Sequence, residues 1–266
     1  MLKHCILAYD YSDSWQKTCD RLPSIIKLTG IQQLTIVHVV DTSRRMYIET
    51  SAAAATEHLK DVAARLNQDL GITVGFEVRK GFAASELHEA ARFHRTDGII
   101  LLNQSHSAGH AFFYGNITLN LARITQRPLL ILPADSVAVE PDGPILLATD
   151  GSGPAQIAQT AFERLMTKDR DGLVLWVETD EMDDESHIQD LAADLTDRYP
   201  KVIFRQSKGS AVREIVKAAE DEQVSLVVIG KRGATPIQDL LIGSTAEGVA
   251  RESRQPVLLV PVSANV

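Results

Sequence analysis

The chain has 266 residues, of which 44% are apolar and 23% are charged, and its formal net charge is -8. This composition is typical of a folded globular protein and excludes collagen-like, low-complexity and generally disordered chains. No apolar run approaches the roughly 20 residues that a membrane-spanning helix needs, and the negative charge argues against nucleic acid as the main partner.

The first half of the chain alternates apolar, strand-like runs with helical stretches. The runs lie at residues 6–10, 34–40, 98–102 and 128–133, with a helical stretch at 14–28 and a Lys-Gly pair at 80–81. Near-continuous Val, Ile and Leu runs that alternate with helices predict parallel strands covered on both faces. The first half is therefore expected to be a doubly wound α/β domain.

The second half repeats this order of features. Its runs lie at residues 145–150, 173–177, 225–229 and 256–261, with a helical stretch at 154–166 and a Lys-Gly pair at 208–209. Asp10 and Asp150 end the first run of each half. We therefore expect two copies of one domain, over residues 1–135 and 142–266, joined by a polar, Pro-bearing linker within 134–143.

The last predicted strand of each copy lies between two prolines, Pro128 and Pro133 in the first copy and Pro256 and Pro261 in the second. Proline is confined to the edges of sheets, and a bare apolar edge promotes aggregation unless something covers it. The two edges are therefore predicted to pair antiparallel about a pseudo-twofold axis.

Charge and histidine are distributed unevenly between the copies. Residues 1–138 carry a net charge of +1 and residues 139–266 a net charge of -9, and only His187 of the eight histidines lies in the second part. The two cysteines, Cys5 and Cys19, are too few for a disulfide scaffold, and no signal-peptide pattern precedes them. We expect a cytoplasmic protein.

The segment that follows the fourth strand of the second copy has the features of a phosphate site. Gly230 and Gly233 let the chain turn sharply and bring bare backbone close to a ligand. Gly243 precedes a helix whose first free amides, at residues 244–246, attract anions. If the first and fourth strands are neighbours, Asp150 faces the same crevice and can accept hydrogen bonds from ribose hydroxyls.

A simpler interpretation of the same residues stays open at this point. Ser244 and Glu247 also form a capping-box pattern, which needs no ligand. Gly230 and Gly233 can be ordinary turn glycines, and Lys231 and Arg232 can belong to a solvated loop.

The spacing Gly-x2-Gly-x9-Gly-Ser, at Gly230, Gly233, Gly243 and Ser244, resembles the nucleotide loop of the ATP-binding universal stress proteins. The resemblance extends over both copies, so the chain resembles a tandem member of that family. It implies two five-stranded parallel sheets in the order 3-2-1-4-5, paired through their last strands. It also implies ATP, or ADP or AMP, held between the first and fourth strands, with or without Mg²⁺.

The resemblance also implies a set of nucleotide-contacting residues in the second copy. The residues that would contact the base and ribose are Ala148, Thr149, Asp150 and Val177. The residues that would contact the ribose and phosphates are Ile229, Gly230, Arg232, Gly233, Gly243, Ser244 and Thr245. Ala246 departs from members that carry a hydroxyl residue there, which leaves the choice between ATP and ADP or AMP open.

The first copy departs further from the pattern. Asn103 and His106 stand where the first two glycines are expected, although Gly115-Asn116 keeps a helix start. Side chains at 103 and 106 would fill the space that a nucleotide needs. The first copy is expected to be a degenerate site that serves as a pairing partner.

Other motifs are weaker. The stretch 151–156 begins like a dinucleotide Gly-x-Gly-x-x-Gly but ends in Gln156, and no P-loop is present. A metal cluster is a minor alternative, formed by Cys5 and the histidines His4, His38, His106 and His110. The acidic run at 180–185 is typical of a solvated loop, and no Gly-x-Ser-x-Gly elbow supports Ser-His-Asp hydrolysis.

The main functional hypothesis is a stress-response regulatory protein that binds an adenine nucleotide in its second copy. The alternatives are a slow ATPase or phosphotransferase and a scaffold that binds no nucleotide. No base or water-positioning residue is evident beside the phosphates, which favours binding over efficient turnover. A homodimer of the whole chain stays open, and no catalytic or metal-binding residue is assigned.

Overall fold

The computed structural model describes residues 2–11, 15–41, 48–103, 111–134, 139–178, 185–233 and 242–262. Strands and helices alternate along these residues. The strands are β1 His4–Tyr9, β2 Gln33–Asp41, β3 Thr73–Gly81, β4 Gly98–Asn103, β5 Leu129–Pro133, β6 Ile145–Thr149, β7 Gly172–Glu178, β8 Val202–Lys208, β9 Leu226–Gly230 and β10 Val257–Val260. The helices are α1 Trp15–Thr29, α2 Ile48–Leu70, α3 Ala83–Phe93, α4 Ala111–Ile124, α5 Gly153–Leu165, α6 Glu185–Arg198, α7 Ala211–Asp221 and α8 Ser244–Glu252.

The strands of the described residues form one continuous sheet. Its order is β3-β2-β1-β4-β5-β10-β9-β6-β7-β8, and neighbours within each half are parallel. Each half therefore has the order 3-2-1-4-5. The predicted fold class, two doubly wound five-stranded units, is confirmed.

The two halves meet through their last strands. β5 and β10 run antiparallel, with Val257 opposite Ile131 and Leu259 opposite Leu129. All four side chains are buried, so each strand covers the edge that the other would expose. The predicted antiparallel pairing is confirmed, whereas part of the predicted linker, residues 135–138, lies outside the described residues.

Helices cover both faces of the sheet. Because successive side chains of a strand point to opposite faces, Cys5 and Leu7 join one apolar cluster and Ile6 joins the other. The first cluster includes side chains of α1, α2, α5 and α6, and the second includes side chains of α3, α4, α7 and α8. The helices α4 and α8, which follow the fourth strand of each half, thus lie on the same face.

Candidate functional site

The predicted crevice lies where β6 and β9 end. The two strands are parallel neighbours, and Ala148 is opposite Ile229. Thr149 ends β6 and Gly230 ends β9, so the chain leaves the sheet at adjacent points. The adjacency of the first and fourth strands, on which the predicted site depends, is therefore present.

Asp150 follows β6 in a tight turn. Its Oδ1 accepts a hydrogen bond of 3.0 Å from the Ser152 amide, and the Gly151 amide donates to Thr149 Oγ1 at 3.1 Å. Gly151 has a φ of +71°, a left-handed conformation that favours glycine. These contacts hold the carboxylate of Asp150 at the carboxyl end of the sheet.

Gly233 lies against that carboxylate. A β-carbon added to Gly233 would stand 2.3 Å from Asp150 Oδ2, which is closer than any real contact. The lack of a side chain at 233 therefore allows the turn after β9 to reach the end of β6.

Gly230 has a packing reason of its own. A β-carbon there would meet the Arg232 carbonyl oxygen at 3.0 Å and Ala155 Cα at 3.6 Å. The start of α5 thus approaches the backbone of Gly230 closely. For this glycine the turn interpretation is sufficient.

The start of α8 differs from a capping box. Gly243, not Ser244, is the N-cap residue, and Ser244 is the first residue of the helix. No side chain of the described residues caps this helix, and Glu247 lies 3.8 Å from Arg123 Nη2 instead of bonding back. The capping-box interpretation is wrong, because the helix begins at Ser244, one residue earlier than that motif requires.

Within the described residues, the first amides of α8 are consequently not satisfied by a capping side chain. The Gly243 amide donates to the Lys231 carbonyl oxygen at 2.9 Å, which places the helix start beside the turn after β9. A β-carbon added to Gly243 would stand 3.5 Å from that oxygen and 3.9 Å from the Gly233 amide nitrogen, both ordinary contacts. Packing does not require glycine at 243, unlike at 233.

Apolar side chains form the wall beside this turn. Ala148, Val177 and Ile229 are buried in the cluster that also contains Ile242 and Ala246. Ser244 is exposed and Thr245 is half-buried. The hydroxyl-bearing residues at the start of α8 therefore face away from the core, whereas Ala246 packs into it.

Lys231 does not face the crevice. Its side chain is buried, and Nζ donates to the carbonyl oxygens of Arg123 and Thr125 at 2.9 and 3.2 Å. Burial, with a smaller contribution from Arg232, lowers the pKa of Lys231 to about 8. The sequence left open that Lys231 belongs to a solvated loop, but the structure directs its side chain into the N-terminal half.

A groove that the sequence did not predict adjoins Ser244. It has a volume of about 540 Å³ and lies between α7 and α8. Its lining includes Ser210 and Arg213 at the start of α7 and Arg251 on α8. The Lys-Gly pair that precedes Ser210 marked this helix start in the sequence, but no local pattern connected it with α8.

Aromatic rings occupy the corresponding region of the N-terminal half. The Tyr11 ring lies 4.7 Å from His38 and 5.1 Å from His58, and Tyr9 shares a hydrogen bond of 2.6 Å with His58 Nε2. Tyr11 has a φ of +57° at the position of Gly151, so a bulky residue adopts a backbone that favours glycine. Burial lowers the pKa of His38 and raises that of Tyr9 to about 12.

These rings were missed because they come from three separate elements. The residues named in the sequence, Asn103 and His106, cannot be compared with them, since residues 104–110 and the side chain of 103 lie outside the described residues. The acidic run is likewise outside from residue 179 to 184.

The histidine alternative fails for its described members. His4 begins β1, whereas His38 pairs with Tyr9 at the other end of that strand. His4 Nε2 is 2.9 Å from Thr35 Oγ1, and His38 Nδ1 donates to the Tyr9 carbonyl oxygen at 3.0 Å. In the part of the chain that the structure describes, no three metal-ligating side chains come together.

The dinucleotide alternative is not favoured by the start of α5. Ser152 is its N-cap, and Ser152 Oγ accepts a hydrogen bond of 3.3 Å from the Ala155 amide. A side chain thus already satisfies an amide that a pyrophosphate would need.

Comparison with known proteins finds similarity to universal stress proteins. The model of the universal stress protein family matches residues 163–261. A universal stress protein of Mycolicibacterium smegmatis is 25% identical over 228 residues, which cover 80% of this chain and 77% of the relative. Universal stress protein Rv2623 of Mycobacterium tuberculosis is 24% identical over 261 residues, which cover 85% of this chain and 86% of the relative.

The fold also matches a solved structure over nearly its whole length. A universal stress protein from Archaeoglobus fulgidus superimposes with a TM-score of 0.81 at 20% identity, over 97% of this chain and 96% of that chain. Among the described residues, no helix is both long and apolar enough to cross a membrane.

Proposed function

We propose that this chain is a tandem two-domain member of the universal stress protein family, to whose members it is similar, and that it binds ATP or another adenine nucleotide in its C-terminal half. One observation carries the proposal. Gly233 contacts the carboxylate of Asp150 on one side and lies near the N-cap of α8, Gly243, on the other. A ribose acceptor and a phosphate-binding helix start thus border one turn of bare backbone.

Each part of the nucleotide has a matching group. Asp150 accepts hydrogen bonds from the ribose, while Ala148, Thr149 and Val177 contact the base. Ile229, Gly230, Arg232 and Gly233 line the path from ribose to phosphates, which end on the amides and hydroxyls that follow Gly243, at Ser244 and Thr245. Mg²⁺, where present, accompanies the phosphates.

The N-terminal half is proposed to bind no nucleotide. The reason is a cluster of four rings in the region where the C-terminal half has Thr149, Asp150 and Gly151. The rings are those of Tyr9, Tyr11, His38 and His58. The proposal assigns residues 1–135 to a degenerate domain and 142–266 to the competent one. It also places the protein in the cytoplasm, where the free thiols Cys5 and Cys19 stay reduced.

Binding without efficient turnover is favoured over a slow ATPase or phosphotransferase. Fast phosphoryl transfer requires cationic stabilisation of the transferred group. Lys231 does not supply it, because its Nζ donates to the carbonyl oxygens of Arg123, in the last turn of α4, and of Thr125, just after that helix. Among the described residues, Arg232 alone is then left as a loop cation for the phosphates, and no base or water-positioning residue is evident beside the phosphates, so a regulatory protein that senses nucleotide fits the site better than an enzyme.

The test begins with the purified native protein. The sample is denatured, and any released nucleotide is identified by chromatography and mass spectrometry. The emptied, refolded protein is then titrated calorimetrically with Mg-ATP, ADP and AMP. We expect one adenine nucleotide per chain, and a protein that is empty and gives no heat with any of the three would refute the proposal in favour of a scaffold.

Single-turnover hydrolysis separates binding from catalysis. With protein in excess over labelled Mg-ATP, we expect the nucleotide to be recovered largely intact. Complete conversion within one minute would favour the phosphotransferase class instead.

A further inference from the structure

One residue of the candidate site belongs structurally to both halves of the protein. Lys231 lies between Gly230 and Gly233 in sequence, yet its side chain extends to α4 of the N-terminal half and is only 7% exposed. The contact joins residues that are 108 positions apart in the sequence. It therefore exists only because β5 and β10 pair.

The acceptors of Lys231 are the carbonyl oxygens at the end of α4. Nζ donates to Arg123 at 2.9 Å and to Thr125 at 3.2 Å. The last carbonyl groups of a helix have no partner within the helix, and the negative end of its dipole favours a cation. Lys231 thus serves as the C-terminal cap of a helix in the other half.

The main chain of the same residue is fixed in two further directions. The Lys231 amide donates to the Val260 carbonyl oxygen at 2.8 Å, and its carbonyl oxygen accepts from the Gly243 amide at 2.9 Å. One residue therefore connects the last strand, the start of α8 and the end of α4. The two glycine segments of the candidate site meet at this point.

A second contact joins the same elements. Arg123, whose carbonyl oxygen accepts from Lys231, also places Nη2 at 3.8 Å from Glu247 Oε2 in the first turn of α8. Ser244 and Thr245 belong to that same turn. The end of α4 is thus linked to both sides of the predicted phosphate cradle.

We propose that Lys231 is a positioning residue through which the N-terminal half sets the geometry of the nucleotide site in the C-terminal half, a proposal that rests on the proposed function. The N-terminal half is then a required component of that site. The crevice of the N-terminal half need not bind nucleotide for this role, because Lys231 contacts the carbonyl groups at the end of α4 and not that crevice.

The experiment compares Lys231→Met with wild type. Methionine retains an apolar stem but leaves the α4 carbonyl groups without their donor. Lys231→Arg tests partial rescue, since a guanidinium also donates to carbonyl oxygens. Lys217→Met is the matched control, because Lys217 is an exposed lysine that pairs with Asp221 on α7.

Two readouts are measured, well below the unfolding temperature of each variant. The first is the dissociation constant for Mg-ATP, which we expect to rise at least about tenfold in Lys231→Met, partly recover in Lys231→Arg and stay unchanged in Lys217→Met. The second is hydrogen exchange at the amides of 231–233 and 243–247, which we expect to become faster in Lys231→Met alone. A role confined to global stability would lower the unfolding temperature without moving either readout.

The two proposals fail separately. Absence of nucleotide binding in the wild type refutes the proposed function, while the exchange rates still decide whether Lys231 positions the two segments. Unchanged exchange in a folded Lys231→Met variant overturns the positioning role. If that variant does not fold, Lys231→Gln is used instead, because its amide nitrogen stops one bond short of the position from which Nζ donates to the carbonyl oxygens of Arg123 and Thr125. Exchange and Mg-ATP affinity equal to wild type in that variant then overturn the role.

Discussion

The carboxylate of Asp150 and the backbone of Gly233 are in direct contact, so closely that a β-carbon at 233 would stand 2.3 Å from Oδ2. Asp150 follows β6 and Gly233 follows β9, and these strands are parallel neighbours. The contact therefore joins the two elements that form the candidate site. A single carbon atom added at 233 would therefore change the geometry of the site.

Replacing Gly233 by Ala is expected to weaken nucleotide binding about tenfold or more. The added methyl group must displace the Asp150 side chain, which would then lose its position for the ribose. Calorimetric titration with Mg-ATP measures the effect, and circular dichroism checks that the fold persists.

Gly153→Ala is the matched control for Gly233→Ala. A β-carbon at 153 has no heavy atom within 4 Å, and its residue also lies near the end of β6. Equal affinity in the two variants would show that the contact between Asp150 and Gly233 does not serve binding.

Replacing Asp150 by Asn is expected to reduce affinity for ATP about tenfold, because a hydrogen bond to a charged acceptor is worth about 1.5–3 kcal/mol. The same variant should distinguish ATP from 2′,3′-dideoxy-ATP less than wild type does, because the amide oxygen of Asn is an uncharged and therefore weaker acceptor. Titration with both nucleotides gives the coupling between the carboxylate and the ribose hydroxyls.

Asp10→Asn provides the internal comparison for Asp150→Asn, since Asp10 occupies the equivalent position of the N-terminal half. We expect wild-type affinity and one nucleotide per chain in this variant. A second site that disappears with Asp10→Asn would contradict the degenerate role of the first half.

Replacing Gly243 by Val is expected to abolish nucleotide binding while the fold remains intact. The backbone at 243 has a φ of -65° and a ψ of 145°, which valine adopts readily, and a β-carbon there makes only ordinary contacts. The branched side chain would instead narrow the space between the helix start and the turn after β9. Gly243→Ala should give an intermediate affinity, and undiminished binding by the valine variant would exclude the site.

The stability of the protein should depend on pH through Lys231. Burial lowers its pKa to about 8 in the folded chain, whereas an unfolded lysine titrates near 10.4. Between these values the unfolded chain binds a proton that the folded chain has released, so the free energy of unfolding rises with pH, by at most about 1.4 kcal/mol per pH unit. Below about pH 8 both states are protonated and this contribution is constant.

Urea unfolding of wild type and Lys231→Met at pH 7.5, 8.5 and 9.5 measures this dependence. The stability of wild type relative to the variant should increase across the series, because the folded wild type releases the Lys231 proton at a lower pH than the unfolded chain does. The neutral amine can still donate to the carbonyl oxygens of Arg123 and Thr125. Groups that titrate alike in both proteins cancel. A difference that stays flat would show that the ammonium is not desolvated.

Much of the architecture could be predicted from the sequence alone. The apolar runs that end in Asp10 and Asp150 indicated that one domain is repeated, and their alternation with helices predicted parallel strands. The prolines around β5 and β10 predicted two edges that need cover, and the sheet has them paired. These features depend on local patterns of a few residues, so they can be recognised without knowledge of contacts between distant parts of the chain.

The candidate site was only partly accessible to the same reasoning. The sequence marked Asp150, Gly233 and Gly243. It could not choose between Gly243 and Ser244 as the N-cap, because the phosphate-site pattern of residues 243–246 and the capping-box pattern of residues 244–247 overlap. It also could not find the ring cluster around Tyr11, which depends on where α2 places His58.

The sequence by itself thus determined two doubly wound copies and the chemical types of the residues at one crevice. Only the tertiary structure decided that Lys231 turns away from that crevice towards α4. The direction of a long, flexible side chain depends on which partner can satisfy its charge after burial. For Lys231 those partners are helix-terminal carbonyl groups more than one hundred residues away, brought near only by the pairing of β5 with β10.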